Sequence, residues 1–218
     1  PKPFSHLTGN GCHAHVSVWD KAGKRNLFHH NRDDLGLSKL AYQFLGGVLH
    51  NADALAAVFN PTVNSYKRID AQVTLSGATW SPNAITYAGN NRTHMIRVPD
   101  AGRFELRLMD GAANPYLLQA AILVAGLDGT ANKREPGQPL DINMYTEGRN
   151  LRRVRRLPSN LLDAIRVFEK SKVIRSGFGE ELVDSYAKLK HADWRSYSAA
   201  ISTWEREHTL DCQSLIHI

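Results

Sequence analysis

Two short stretches of this 218-residue chain set unlike ionisable groups at strand spacing. In His13-Ala14-His15-Val16-Ser17-Val18-Trp19, strict alternation puts His13, His15 and Ser17 on one face of a strand and Ala14, Val16 and Val18 on the other. In Arg103-Phe104-Glu105-Leu106-Arg107-Leu108, the charged residues share one face and the apolar residues the other. A neutral imidazole and a carboxylate suit a divalent cation, whereas the forked guanidinium donors suit phosphate or carboxylate. Together the two strands point to a metal–nucleotide site. Taken alone, His-x-His is commonly incidental, and the arginine–glutamate strand reads equally well as a solvated face with cross-charge pairs.

Two further clusters lie between them, Asn60-Pro61-Thr62-Val63-Asn64-Ser65-Tyr66-Lys67-Arg68 and Asn91-Arg92-Thr93-His94-Met95-Ile96-Arg97. Either one in isolation is an ordinary basic loop or strand edge. Five arginines, Arg68, Arg92, Arg97, Arg103 and Arg107, fall in one 40-residue window beside Asp70, Asp100 and Glu105, with Asp110 just after it. Such an excess calls for an anionic partner. The whole chain carries 27 Lys+Arg against 21 Asp+Glu, a formal charge of +6. Much of that excess sits in Arg149, Arg152, Arg153, Arg155 and Arg156. A basic run of this kind can grip nucleic acid, but no binding motif or aromatic platform accompanies it, so a solvated loop or a subunit contact is the better reading.

With 42% hydrophobic and 22% charged residues, the composition excludes a disordered, collagenous or coiled-coil chain. Cys12 and Cys212 offer neither a disulfide framework nor a cysteine zinc site, which points to a reducing compartment. No apolar run approaches the roughly 18–20 residues of a membrane span, and the N-terminus has no secretory pattern, so the expected location is the cytoplasm.

The positioning elements can be read coarsely. A turn is expected at Lys21–Lys24. Helix is expected over Leu37–Phe59, whole or broken at Gly46-Gly47, and ended by Asn60-Pro61. Asn64–Asn91 reads as a long, partly extended loop with a strand near Ala84–Tyr87, and His94–Val98 and Arg103–Leu108 as strands joined at Pro99–Gly102. Asn114-Pro115 should open a helix to about Asn132 whose all-round apolar character predicts burial on most sides. Ser159 is expected to cap a helix ending at Gly177. Helices over about Gly179–Lys190 and Asp193–His208 follow, with Trp194, Tyr197, Ile201 and Trp204 forming a core stripe.

The ordered set Gly9-x-Gly11-x-His13-x-His15-x-Ser17, Asn60-Pro61-x-x-Asn64-Ser65-Tyr66-Lys67-Arg68, Asn91-Arg92-x4-Arg97 and Arg103-x-Glu105-x-Arg107-x-x-Asp110-x-x-Ala113-Asn114-Pro115-Tyr116 resembles glutamine synthetase. The resemblance covers most of residues 1 to about 145. Ser76-Gly77-Ala78-Thr79-Trp80-Ser81-Pro82-Asn83 and Gly89–His94 look like the divergent type III, rhizobial-like branch that includes γ-glutamylmethylamide synthetases. The resemblance implies ATP-dependent amide formation through γ-glutamyl phosphate, with Mg2+ or Mn2+ as cofactor. His13 and Glu105 would be metal ligands, and His15 and Ser17 would contact ATP. Gly9 would meet glutamate through its backbone, Arg68 the α-carboxylate and Arg107 the γ-carboxylate end. Arg92 would take the transferring phosphoryl group, and Arg97 and Arg103 the nucleotide phosphates.

The implied fold is α+β, a curved antiparallel sheet with helices outside. A β-rich active-site part would span 1–113 and a helical part 114–211, with 212–218 as a tail. The chain opens on Pro1 rather than Met, and the resemblance implies that a β-grasp domain, most of the metal-binding glutamates and neighbouring subunits of a ring lie outside it. Residues 1–218 alone are therefore expected to be inactive.

Several positions depart from the family pattern. A flap glutamate is replaced by Thr74, with no glutamate between Arg68 and Arg92; ammonia, giving glutamine, stays the leading acceptor that the resemblance implies, and this departure makes methylamine or a polyamine the alternative. Thr8 replaces a common Asn, and Pro99–Gly102 lacks a lysine that reaches ATP. Tyr145 falls where some bacterial members are adenylylated, but Thr146-Glu147-Gly148 differs there, and it reads as an ordinary loop tyrosine. A non-catalytic relative is the alternative of another class; the intact arginines from Arg68 to Arg107 argue against it.

Overall fold

A computed structural model describes residues 1–69, 81–151 and 153–210. Among these the chain forms four short strands, β1 (Ala14–Val16), β2 (Tyr87–Ala88), β3 (Ile96–Asp100) and β4 (Arg103–Leu106), in one open sheet of order β1-β4-β3-β2. The class is α+β, as expected. The sheet is mixed rather than antiparallel throughout: β1 and β3 run antiparallel to β4, but β2 lies parallel to β3. Residues 89–95 make no hairpin. They loop out to hold the 142–144 segment through Asn91, Thr93 and His94, and so return the chain in its original direction. The β3–β4 connection is the expected tight one, with Gly102 at φ +74° and a position where a Cβ would stand 2.6 Å from Asn26 Nδ2.

The expected alternation of residues 13–18 holds although ladder pairing covers only three of them. His13, His15 and Ser17 are exposed, and Ala14, Val16 and Val18 are half-buried. Phe104, Leu106 and Leu108 are fully buried. Phe104 meets Phe28 and Phe44, with ring centroids 6.0 and 6.2 Å away, where the sheet packs on the first helix.

That helix, α1 (Lys39–His50), begins where the Ser38 side chain accepts the Ala41 N–H. It is followed by α2 (Ala52–Phe59), and the break falls at Asn51, not at Gly46-Gly47. The glycines serve another purpose. The third helix, α3 (Pro115–Ala131), crosses α1 so closely that a Cβ on Gly47 would sit 2.1 Å from Ala125 O and 2.6 Å from Gly129 Cα. Gly47→Val is expected to cost about 3 kcal/mol, since neither backbone can yield without unpacking the other. A denaturant midpoint unchanged from the parent would contradict this close crossing.

α3 starts as read, at Asn114, whose Oδ1 accepts the N–H groups of Tyr116 and Leu117. Its burial differs from expectation. Leu118, Ala121, Ile122 and Ala125 face inward, whereas Tyr116, Leu123 and Leu127 are exposed because only the sides toward α1, α2 and α5 are covered.

The remaining helices are α4 (Leu161–Lys170), α5 (Lys172–Phe178), α6 (Glu180–Ala199) and α7 (Thr203–Thr209). Asn160, not Ser159, caps α4 by accepting the Asp163 N–H. Gly179, at φ +84°, separates α5 from α6, where Gly177 was the expected stop. α6 runs through residues 190–193, which contain neither glycine nor proline to stop it. The aromatic stripe is not core: Trp194 packs partly inward, but Tyr197, Ile201 and Trp204 are exposed. Among the described residues no helix is long and apolar enough to cross a membrane.

Candidate active site

The sheet register builds the centre of the site. His15 on β1 lies opposite Glu105 on β4, and Glu105 lies opposite Arg97 on β3, so one rung across three strands carries an imidazole, a carboxylate and a guanidinium. Glu105 is 3% exposed. Its Oε1 is 3.0 Å from His13 Nδ1 and accepts from Arg107 Nη1 at 3.0 Å, while Oε2 accepts from Arg97 Nη1 at 2.7 Å. Burial works against its ionisation, but the charges of Arg107 and Arg97 outweigh that and hold its carboxyl below the usual range.

Burial, and then the charge of Arg107, push the His13 pKa down. The ring is therefore neutral at pH 7. A neutral His13 that donates its Nδ1–H to Glu105 keeps the Nε2 lone pair for a cation. Arg103 Nη1 donates to His15 Nδ1 at 3.0 Å, so His15 accepts there, and Arg103 also pairs with Asp100. Arg97 Nε donates to Asn90 Oδ1 at 2.8 Å. Ser17 Oγ accepts from Trp19 Nε1 at 3.1 Å.

A second group adjoins the rung. Arg68, 2% exposed, follows a 3₁₀ turn (Val63–Lys67) capped reciprocally by Thr62 and Ser65. Its Nη2 donates to the carbonyls of Leu108 and Met109 at 3.1 and 2.6 Å. Asn64 clamps the first residues over it, accepting from Lys2 N and donating to Lys2 O. A Cβ on Gly9 would stand 2.3 Å from Pro1 O and 3.2 Å from Arg68 Cδ; one on Gly11 would lie 3.6 Å from Arg68 Nη1 and 3.8 Å from His13 Nε2. At Gly9 a side chain is excluded by this close approach, not by an unusual φ, whereas a Cβ on Gly11 would sit in ordinary van der Waals contact.

The third motif separates into scaffold and free cation. Asn91 Nδ2 donates to Ile142 O, Thr93 Oγ1 accepts from Met144 N, and the fully buried His94 bridges Thr86 Oγ1 and Ile142 O. Those three residues hold residues 142–144. Arg92 between them is exposed and makes no hydrogen bond or ion pair among the described residues.

The structure thus gathers His13, His15, Arg97, Arg103, Glu105 and Arg107 around one carboxylate, sets Arg68 with Gly9 beside them, and leaves Arg92 projecting. His13 and Glu105 supply two donors of the right chemistry for a divalent cation, so the residues present fit part of such a site. No three His, Cys, Asp or Glu side chains converge to hold one among the described residues. Arg155 is engaged in packing, donating to Leu49 O and His50 O and pairing with Asp53. Thr74, residues 76–80, Arg152 and the tail 212–218 lie outside the described residues.

Residues that sequence reasoning passed over also adjoin the site. Tyr145, read as an ordinary loop residue, is half-buried beside Arg107 and Arg68. Burial pushes its phenol up to about 12 even though both arginines oppose that shift. Asp110 and Asn60 are fully buried, Asp110 directly after the two residues whose carbonyls accept from Arg68; both stand inside the matched motifs, which is the signal that could have found them.

The family model for the glutamine synthetase catalytic domain matches residues 1–209. A glutamine synthetase of Rhizobium leguminosarum bv. phaseoli is 56% identical over 211 residues, covering 97% of this chain and 48% of that protein. A glutamate–methylamine ligase of Methyloversatilis universalis is 48% identical, over 94% of this chain and 47% of that protein. A solved structure of a GmaS/ADP complex superimposes with a TM-score of 0.91 at 59% identity, covering 97% of this chain and 48% of that one. The chain spans about half the length of the curated relatives it matches. With three of the four ordered motifs meeting at Glu105, the fourth placing Arg68 beside them, and a family match over nearly its whole length, the chain belongs to the glutamine synthetase catalytic-domain family.

Proposed function

We propose that this chain carries the nucleotide- and glutamate-facing part of an ATP-dependent ligase that joins glutamate to an amine through γ-glutamyl phosphate. The observation that best supports it is the buried Glu105, held ionised by Arg97 and Arg107 and hydrogen-bonded to a neutral His13. In this reading His13 and Glu105 hold Mg2+ or Mn2+, which when bound withdraws charge from the nucleotide phosphates. His15, Ser17, Arg97 and Arg103 receive ATP. Gly9, Arg68 and Arg107 receive glutamate, and Arg92 meets the phosphoryl group in transfer.

A γ-carboxylate oxygen of glutamate attacks the γ-phosphorus and ADP leaves. The amine nitrogen then attacks the γ-carbonyl carbon, inorganic phosphate leaves, and the nitrogen gives up a proton. Positioning and charge stabilisation are what such a transfer asks of the protein, and a ring of guanidinium groups on rigid strands supplies both. Because the chain covers about half the length of its relatives, further glutamates and neighbouring subunits of a ring assembly are part of the same proposal.

The absence of any glutamate from residues 69–91 favours methylamine over ammonia as the acceptor, as does the likeness to a glutamate–methylamine ligase. Phosphate release by the complete protein, measured with glutamate and either ammonia, methylamine or a diamine, is expected to give the highest kcat/KM for methylamine. A higher value with ammonia would withdraw the acceptor; no glutamate-dependent release with any amine would withdraw the ligase reading.

A further inference from the structure

Four buried polar side chains beside the rung keep atoms with no hydrogen-bond partner among the described residues: Arg68 Nε, Arg107 Nε, Asp110 Oδ2, and both amide atoms of Asn60. They lie close together. Arg68 donates to the carbonyls of the two residues immediately before Asp110, and Asp110 N donates to the carbonyl of Phe59, the residue before Asn60. Asp110 is 0% exposed, and its other oxygen accepts the Ala112 N–H at 2.8 Å.

The charges in this group do not balance pair by pair. Glu105 already holds Arg97 and Arg107. Arg68 forms no ion pair among the described residues, yet a guanidinium removed from water is costly without a counter-charge. Asp110 is the buried acid left to supply one. Burial works against the charge of Arg68, and among the favourable influences that of Asp110 is the largest.

We infer that Asp110 is a positioning residue for Arg68: its carboxylate, seated behind Leu108 and Met109, offsets the buried guanidinium and fixes it under Gly9 and Gly11, aimed at the carboxylate of the amino-acid substrate. The inference rests on the proposed glutamate role of Arg68. It adds that the affinity for glutamate is set from behind, by a residue that does not touch the substrate. Oδ1 alone serves the local turn, so a purely structural Asp110 would need only a hydrogen-bond acceptor.

Asp110→Asn keeps that acceptor and removes the charge, which makes it the informative variant in the complete protein. Its KM for glutamate is expected to rise about tenfold or more, with the KM for ATP and the kcat at saturating glutamate within about twofold of the parent. A glutamate KM within twofold of the parent, where Arg68→Lys raises it, would overturn the inference. The pairing is tested separately by melting temperature. The fall caused by Asp110→Asn should shrink in an Arg68→Met background, and strictly additive falls would overturn the pairing. Should the falls be coupled while Arg68→Lys leaves the glutamate KM unchanged, the pairing stands and the placement of glutamate at Arg68 is what has failed.

Discussion

Replacing Arg92 with alanine is expected to lower kcat by about 10²–10³-fold, the loss typical of removing one donor that stabilises transition-state charge, while leaving the melting temperature unchanged. The structural argument is the contrast with its neighbours. Asn91, Thr93 and His94 are bonded to residues 142–144 and hold β3 to that segment. Arg92 is exposed and makes no hydrogen bond or ion pair among the described residues. A residue flanked by scaffold but bonded to none of it is free to serve a ligand. Stopped-flow phosphate release together with calorimetric melting reads both halves of this expectation, and near-parental turnover would remove Arg92 from the reaction.

Glu105→Ala is expected to do the opposite, abolishing turnover and also destabilising the fold by about 3–5 kcal/mol, because it leaves buried guanidinium groups without their carboxylate. Arg107 is 4% exposed and makes its ion pair with Glu105; Arg97 pairs with the other oxygen. His13→Ala separates the two effects. The His13 side chain is 38% exposed and, as a neutral ring, donates one hydrogen bond to Glu105, so its loss removes a proposed metal donor at a stability cost of about 1 kcal/mol. Urea unfolding of the two variants side by side distinguishes the roles. Equal stability losses would mean that Glu105 is not the hub its contacts describe.

Much of the site was legible in the sequence because strand alternation is a local property. Once residues 13–17 and 103–107 are read as strands, the shared faces of His13 and His15 and of Arg103, Glu105 and Arg107 follow, and the cross-strand contacts realise them. Helix starts marked by local chemistry, such as Asn114-Pro115, were legible for the same reason. Features set by distant neighbours were not. Gly46-Gly47 resembles a helix break in isolation, and only the close approach of α3 to Gly47 and of residues 134–135 to Gly46 explains why glycine is needed within an unbroken α1. The parallel pairing of β2 depends on a segment fifty residues further on. The burial of Arg68 under Gly9 and Gly11, with Asp110 behind it, depends on three segments meeting, and no spacing within any one of them announces it.

Among the described residues β1 is only three residues long, lies at the edge of the sheet, and contributes residues 88–92 positions away from their partners on β4. Such a strand closes late in folding and opens early in the native state, since a long loop must be ordered for few hydrogen bonds. Its release would take His13, His15 and Ser17 away together while the packing of α1 on α3 stayed closed. The face that carries these three side chains is thus held by few hydrogen bonds, and ligands that bridge β1 and β4 should act as its latch, slowing amide exchange at Ala14–Val16 far more than in the helical core.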